Sequence, residues 1–293
     1  MKKIAIYGKP VPNPLNVEIA KLIELMQGYG FAVSVYTKFA RHLRAQDLLP
    51  PDLDSFSKSQ LSQKDFAFLT SIGGDGTLLD TLMLVGESGI PVIGINAGRL
   101  GFISSATMEE MEQVCASFVD GSYRCENRAL LELQKQGNQF SGFNYALNEV
   151  TVLKKDSAAM VRIDVWLNEE FLNSYWADGL IVSTPTGSTA YSLSCGGPIV
   201  MPGSDNFVIT PIAPHHLNVR PVVVSQDDSI RIRVSGRSDS FLLALDSRPS
   251  EIRESDEIIV KRAPFDFKLI QPEGHSFLNT LRNKMGWGFD KRN

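Results

Sequence analysis

The run SIGGDGTLLD at residues 71–80 constrains this chain more than any other stretch. It follows the apolar segment 66–72 and places glycine at three of four consecutive positions, Gly73, Gly74 and Gly76. Glycine loses more backbone freedom on folding than any other residue, so the cluster marks a turn that needs positive φ or a main chain that something approaches closely. Between a strand pattern at 66–72 and a helical one at 77–88, it reads as the joint of a helix-flanked parallel sheet. N–H groups at the start of that helix point outward at its positive end and favour an anion, with phosphate the best match. Thr77 suits a helix cap, and Asp75 is placed to accept a proton from an attacking hydroxyl or to orient it. A bare carboxylate beside phosphate is repulsive, which points to a metal ion bridging the two. The same spacing also describes an ordinary tight turn with Asp75 as a solvated residue. Neither G-x-x-x-x-G-K-[ST] nor G-x-G-x-x-G occurs at this turn, so neither familiar nucleotide fingerprint applies.

The surrounding pattern extends this picture. Residues 3–7 read as a buried strand, 16–30 carry apolar residues at helical spacing, and 31–36 return to strand alternation. After a polar, proline-containing connection at 49–64 comes a second set: strand 66–72, helix 77–88, strand 90–95. The alternation predicts an α/β N-terminal domain, Rossmann-like, over residues 1–125, with a parallel sheet, flanking helices and ligands at the carboxyl ends of its strands. From about residue 127 short strands follow closely, at 129–134, 149–153, 162–167, 180–182, 229–234 and 241–245. They predict a mainly β, sandwich-like C-terminal domain over 126–270. An amphipathic helix at 276–287 lies in a final segment, 271–293, that either stays on the second domain or packs back on the first. One interruption stands out: STPTGSTAYSLSCGGPI at 183–199, dense in small hydroxyl residues and glycine.

Composition narrows the function classes. With 293 residues and 43% apolar side chains the chain is long enough for two cores. A net charge of -4 with both signs interspersed gives no general attraction to nucleic acid or anionic membrane, so an anionic ligand must be met by a local site. Three cysteines without a C-x-x-C pair argue against a disulfide framework and a zinc site. His215 and His216 lack metal-ligand spacing, and no metal ligand is assigned. No stretch approaches the roughly 18 apolar residues of a membrane helix, and the opening MKKIAIYGKP has only a short apolar run, so a cytoplasmic protein is expected.

Five blocks in order carry a resemblance: SIGGDGTLL, GINAGRLGFIS at 94–104, LNEV at 147–150, ADGLIVSTPTGSTAYSLSCGGPIV at 177–200 and TPIAPHHLNVRP at 210–221. Together they resemble the NAD kinase family over about residues 66–221. The glycine block alone is shared more widely, with diacylglycerol and sphingosine kinases and phosphofructokinases. The resemblance implies transfer of the γ-phosphate of ATP to the 2′-hydroxyl of the adenosine ribose of NAD, with Mg²⁺ or another divalent metal as helper, giving NADP. It implies that Asp75 is the catalytic aspartate and that Gly73, Gly74, Gly76 and Thr77 form the ATP phosphate turn. Asn148 and Glu149 then match a clamp on the ribose and adenine of NAD, while Asp178, Thr189, Ala190, Tyr191 and Ser194 match the residues that bind its two halves. Phe102, in the block from Asn96, is expected near the nicotinamide end. A homodimer or homotetramer, assembled through the β domain, is implied as well.

The residue chemistry is compatible with those roles. An amide both donates and accepts at an adenine edge, a carboxylate suits two ribose hydroxyls, and hydroxyl side chains bind ribose and carboxamide without adding charge. By burial habit alone, Asn148 and Glu149 are exposed polar residues, Phe102 and Tyr191 are core, and Ser188 and Thr189 are helix caps. A lipid kinase of the diacylglycerol type would share the glycine block without the Asn148-Glu149 and Thr189-Ala190-Tyr191 blocks. A non-catalytic dinucleotide sensor has no need of Asp75, and a dehydrogenase would carry the Rossmann fingerprint. Two departures from the commonest family forms, Trp176 ahead of Ala177-Asp178-Gly179 and the segment 154–160, bear on regulatory ligands and on the balance between NAD and NADH.

Overall fold

A computed structural model describes residues 1–10, 15–61, 65–98, 101–135, 142–155 and 159–287. The chain forms two compact units, Met1–Asn127 together with Phe267–Asn293, and Arg128–Asp266.

In the first unit, the strand Lys3–Gly8 is apolar almost throughout, and Ile4, Ala5 and Ile6 are fully buried. A strand covered on both faces belongs at the centre of a parallel sheet. The sheet runs Ser55–Phe56, Ala32–Tyr36, Lys3–Gly8, Phe68–Ile72, Val92–Asn96, Phe267–Pro272, Tyr123–Arg128, with Ala106–Thr107 also paired to Val92–Asn96. The first six of these strands pair in parallel. The chain builds outward from Lys3–Gly8 to one side, then places Phe68–Ile72 on the other. Strand order therefore reverses between these two, which is where doubly wound sheets bind ligands beyond the carboxyl ends. Gly8 is in register with Ile72, so the glycine turn leaves the sheet at that reversal.

Helices cover the sheet by periodic burial. Leu15–Gly28 buries Ile19, Leu22, Ile23 and Met26, the three-and-four spacing of one helical face. Thr37–Arg44, which sequence patterning passed over, starts directly after the strand Ala32–Tyr36 with no intervening loop. It buries only Phe39, Ala40 and Leu43 among basic residues. Asp75–Val85 lies close on Val92–Asn96, because Gly94 has no side chain: a Cβ there would fall 2.4 Å from Leu78 Cδ1 and 3.0 Å from Ser104 Cα.

The second unit consists of two six-stranded sheets, antiparallel in every pairing described. In Val161–Leu167, residues Val161, Ile163 and Val165 turn inward while Arg162, Asp164 and Trp166 turn out, the period of two that one buried face demands. Inward residues of both sheets, among them Ile163, Ile232, Val150, Val182 and Leu243, join in one core. The expected class, an α/β domain followed by a mainly β sandwich, is the class observed. Glu149–Leu153 is central to its sheet, between Gly179–Ser183 and Ser240–Leu245.

Close approach at Gly94 gives a direct test. Leu78 can swing its end aside, but the Ser104 backbone cannot, so Gly94→Ala is expected to cost about 1–3 kcal/mol by overpacking. Urea denaturation should show a lower midpoint at an unchanged slope, and a midpoint equal to wild type would contradict the packing account.

Candidate functional site

The glycine turn is built from three features. Gly73 has φ +150, and a Cβ on it would fall 2.5 Å from Thr77 Oγ1, so glycine is required by conformation and by space. Gly74 is the N-cap of the 11-residue helix Asp75–Val85, and no side chain caps it. Thr77, expected as a cap, instead lies in the first turn with its side chain against Gly73, because the extended Gly74 already closes the helix start. The third feature is space: a Cβ on Gly74 or Gly76 would meet nothing within 4 Å, and neither residue has positive φ. Glycine suits the extended N-cap position at 74, and among the described residues no packing demands it at 76, so the first-turn N–H groups are open to the approach of another molecule.

Asp75 is fixed by the loop that follows Val92–Asn96. Its Oδ2 accepts the N–H of Phe102 at 2.8 Å, and its Oδ1 accepts the N–H of Ser104 at 3.1 Å and the Ser104 hydroxyl at 3.0 Å, with the Ile103 N–H further out at 3.4 Å. The loop lies against the carboxylate because residue 101 is glycine; a Cβ there would sit 1.8 Å from Oδ1. A carboxylate offers about four lone-pair sites, so Oδ2 retains capacity for a further donor or a cation. Among the described residues, no three His, Cys, Asp or Glu side chains gather into a metal site. A Mg²⁺ ion that arrives with phosphates needs only one or two protein carboxylates, and Asp75 fits that requirement.

In the second unit, Asn148 and Glu149 stand at the start of the central strand and are only 6% and 7% exposed. Neighbours on both sides hold their main chain. Thr184 donates its hydroxyl to Leu147 O at 2.6 Å and its N–H to Asn148 O at 2.9 Å. Asp246 accepts the N–H groups of Leu147 and Asn148 at 2.7 Å each and of Glu149 at 3.2 Å, and returns its own N–H to Glu149 O at 3.1 Å. Gly187 touches the same segment, since a Cβ on it would lie 2.1 Å from Asn148 O. The side chains are another matter: Asn148 Oδ1 and Glu149 Oε2 are buried without a hydrogen-bond partner among the described residues. Burial above all, then the nearby charge of Asp246, pushes the Glu149 carboxyl up to about 7, against a smaller opposite effect of the Tyr191 N–H. Burial also raises Asp246, although the three N–H groups oppose it.

The hydroxyl-rich run 183–199 turns back over this segment. Gly187–Thr189 and Tyr191–Ser194 form two short helical turns, and the Tyr191 N–H meets Glu149. Burial, followed by the charges of Cys195, Asp178 and Glu149, raises the Tyr191 phenol, so these groups share one electrostatic neighbourhood. Asp178 pairs with Lys154 at 2.6 Å. Ser188 and Thr189 do not cap: their hydroxyls donate to Pro185 O at 2.7 Å and Thr186 O at 3.2 Å, carbonyls one turn back. Ala190 links the turns at φ -101 and ψ -125, and Ser194 is exposed.

The expected residues thus fall into two groups, one in each unit. Gly73, Gly74, Asp75, Gly76, Thr77 and Phe102 make the first, Phe102 through its N–H on Asp75. Asn148, Glu149, Asp178 and Tyr191 gather in the second, with Thr189, Ala190 and Ser194 on the adjoining turns. Arg99 and Leu100 lie outside the described residues. Sequence reasoning missed Gly101, Ser104, Thr184, Gly187 and Asp246. Gly101 and Ser104 fall within the block 94–104 and Thr184 and Gly187 within the block 177–200, where no role was assigned to them, while Asp246 left only the polar Asp-Ser pair between the strands Ser240–Leu245 and Arg248–Arg253.

Comparison with known proteins places these features in context. Residues 34–123 match the model for the ATP-NAD kinase N-terminal domain, and 147–272 match that for the ATP-NAD kinase C-terminal domain. A NAD kinase of Flavobacterium psychrophilum is 43% identical over 293 residues, covering 99% of this chain and 100% of the relative. A NAD kinase of Porphyromonas gingivalis is 42% identical over 289 residues, covering 98% of this chain and 99% of the relative. Among solved structures, yeast NADH kinase complexed with NADH superposes with a TM-score of 0.87 at 24% identity, over 99% of this chain and 89% of that one. A NAD kinase from Archaeoglobus fulgidus in complex with ATP gives 0.76 at 24% identity, over 97% and 98%.

The raised Glu149 carboxyl has a measurable consequence. In the unfolded chain it ionises above its ordinary 4.5, whereas the folded protein holds the proton to about 7. The folded state therefore binds more protons between those values, and stability of the ligand-free protein falls as pH rises from 4.5 to 7, then levels. Asp246, also raised, adds with the same sign. Glu149→Gln should remove its share, on the order of a few kcal/mol. Melting temperatures between about pH 5 and pH 8 should then decline less for Glu149→Gln than for wild type; parallel declines would refute the burial of an ionisable carboxyl here.

Proposed function

The chain belongs to the NAD kinase family, and we propose that it transfers the γ-phosphate of ATP to the 2′-hydroxyl of the adenosine ribose of NAD, giving NADP and ADP. The observation that carries this reading is the pair of buried oxygens, Asn148 Oδ1 and Glu149 Oε2, left without partners among the described residues. Buried polar atoms are costly unless something meets them, and an adenine edge and a ribose diol offer the matching donors. A lipid acceptor offers neither an adenine edge nor a ribose diol.

At the glycine turn, the N–H groups ahead of the first intrahelical bond bind the phosphates, and the missing side chains at 74 and 76 leave room for their oxygens. In the transfer, the ribose 2′-oxygen bonds to the γ-phosphorus and the bond from that phosphorus to the bridging oxygen breaks, its electron pair leaving with ADP. Asp75 accepts the hydrogen bond of the 2′-hydroxyl, orients its oxygen and takes up the proton through that bond as the oxygen joins phosphorus, passing it on to water afterwards. Its anchoring to the main chain at 102 and 104 keeps the carboxylate from reorganising during the step. Mg²⁺ or another divalent ion accompanies ATP in this reading; Asp75 would hold it with the phosphates, and it would neutralise their charge.

The family likeness also supports a homodimer or homotetramer, and Phe171 and Trp176, exposed on the edge strand Glu170–Ala177, are suited to association. No helix among the described residues is long and apolar enough to cross a membrane, and the three free cysteines agree with a reducing, cytoplasmic setting.

The first experiment is NADP formation from NAD, ATP and Mg²⁺, read with an NADP-specific dehydrogenase. Asp75→Asn should fold and lose at least ~100-fold in turnover. Near wild-type turnover in a folded variant would remove Asp75 from the chemistry, and NAD binding without any NADP formation would make the protein a sensor. Gly76→Ala separates fold from phosphate contact. It occupies empty space in helical backbone, so melting should hold or rise, while the KM for ATP should increase about tenfold or more. An unchanged KM for ATP would exclude phosphate from the turn.

A further inference from the structure

We propose that Asp246 is a positioning residue for the dinucleotide: by holding three consecutive main-chain N–H groups, it fixes the segment from which Asn148 Oδ1 and Glu149 Oε2, both buried and without a partner among the described residues, are presented. The proposal rests on the assignment of NAD to the Asn148-Glu149 segment.

Asp246 is buried, 7% exposed, and it is the first residue of a two-residue hairpin turn between Leu245 and Arg248. Both turn residues have positive φ, 46° for Asp246 and 64° for Ser247, as a type I′ turn requires. Such a turn is usually closed by Asn-Gly or Asp-Gly, and this one carries no glycine. Turn geometry allows asparagine in place of Asp246, so a second demand is needed to account for a buried carboxylate, and the N–H groups of Leu147, Asn148 and Glu149 supply it. A carboxylate accepts all three at once, whereas an asparagine amide has one accepting oxygen and brings two donors against the rest.

The arrangement is unfavourable for an isolated fold, since it places one buried carboxylate close to another. Arg248 relieves it only in part, pairing with Asp246 at long range. Arg248 Nη2 is 3.9 Å from Asp246 Oδ2, and the guanidinium donates to Leu245 O at 3.0 Å, Phe143 O at 3.2 Å and Tyr145 O. That cation braces the chain leading into Asn148 through the carbonyls of Phe143 and Tyr145. A purely structural role for the turn would be served by a neutral acceptor. A carboxylate that fixes three successive N–H groups makes sense where the direction of the next two side chains matters.

The test is steady-state kinetics of Asp246→Asn at about pH 8.5, above the range in which Glu149 titrates, so that its ionisation does not enter the comparison. The KM for NAD should rise about tenfold or more, with kcat and the KM for ATP within about threefold of wild type. A folded variant with an unchanged KM for NAD, or with both KM values raised alike, overturns the positioning role. If Asp246→Asn does not fold, Asp246→Ser, which keeps an accepting oxygen without an amide donor, is assayed in the same way; if neither folds, the residue is structural and the proposal fails. Asn148→Ala checks the underlying assignment. Should it leave the KM for NAD unchanged, the dinucleotide does not use this segment; should it raise that KM while Asp246→Asn does not, only the positioning role is lost.

Discussion

A backbone N–H that leaves a strand loses its ladder acceptor, and where water does not reach, it must find another. In both units a carboxylate supplies that acceptor for a run of residues. Asp75 takes the N–H groups of Phe102 and Ser104 with that of Ile103 further out, and Asp246 takes those of Leu147, Asn148 and Glu149. Each run is the piece of chain on which the proposed chemistry depends. An acceptor with two oxygens and no donors can organise three successive N–H groups, which a hydroxyl or an amide cannot do without competing. Much of the geometry of either site follows from this one constraint.

Close main-chain approach is its corollary. For Asp75 to reach the loop, residue 101 can carry no side chain, and for the run at 183–199 to fold over Asn148, residue 187 can carry none either. Gly73 belongs with these, fixed by φ and by Thr77. Gly74 and Gly76 are of another kind, since the folded chain has room for a methyl group at both. At 76, in a helical first turn where alanine would be more stable, the proposed approach of phosphate is the reason offered for a glycine that no described neighbour demands.

How far the sequence could be read follows from the range of the interactions. The βα alternation of the first unit was legible because strand and helix periods are local, as at Lys3–Gly8 and Leu15–Gly28. Thr37–Arg44 was not, since it follows a strand without a break and buries only three residues. The strand Phe267–Pro272 went unread because what places it is pairing with Val92–Asn96, some 175 positions earlier by the register of Leu269 with Val92, roughly the scale at which local pattern has no purchase. Asp75, Asn148 and Glu149 were visible in motifs, and the structure supplies physical reasons for them. Asp246 was invisible as a partner of residue 149, because a contact across about a hundred positions has no local period. Thr77 and Ser188 were misread as caps for the opposite reason: the composition was right, but their side chains were taken by Gly73 and by Pro185 O.

The choice of main-chain partners also explains how Glu149 stays available. Had long cationic side chains lined the segment, one would fold onto the carboxylate, since lysine and arginine have the reach and the charge to satisfy it. Instead the segment is held by Asp246, Thr184 and Gly187, short residues that touch its backbone, while Arg248 is engaged with three carbonyls. Glu149 Oε2 and Asn148 Oδ1 therefore keep unspent hydrogen-bonding capacity in a nearly dry setting, at a cost in the stability of the ligand-free fold. A ligand that meets both oxygens recovers that cost on binding, and the recovered part is selective: a molecule lacking the matching donors would leave the same atoms unpaired. Discrimination at this segment thus arises from what the fold leaves unsatisfied as much as from the contacts it makes.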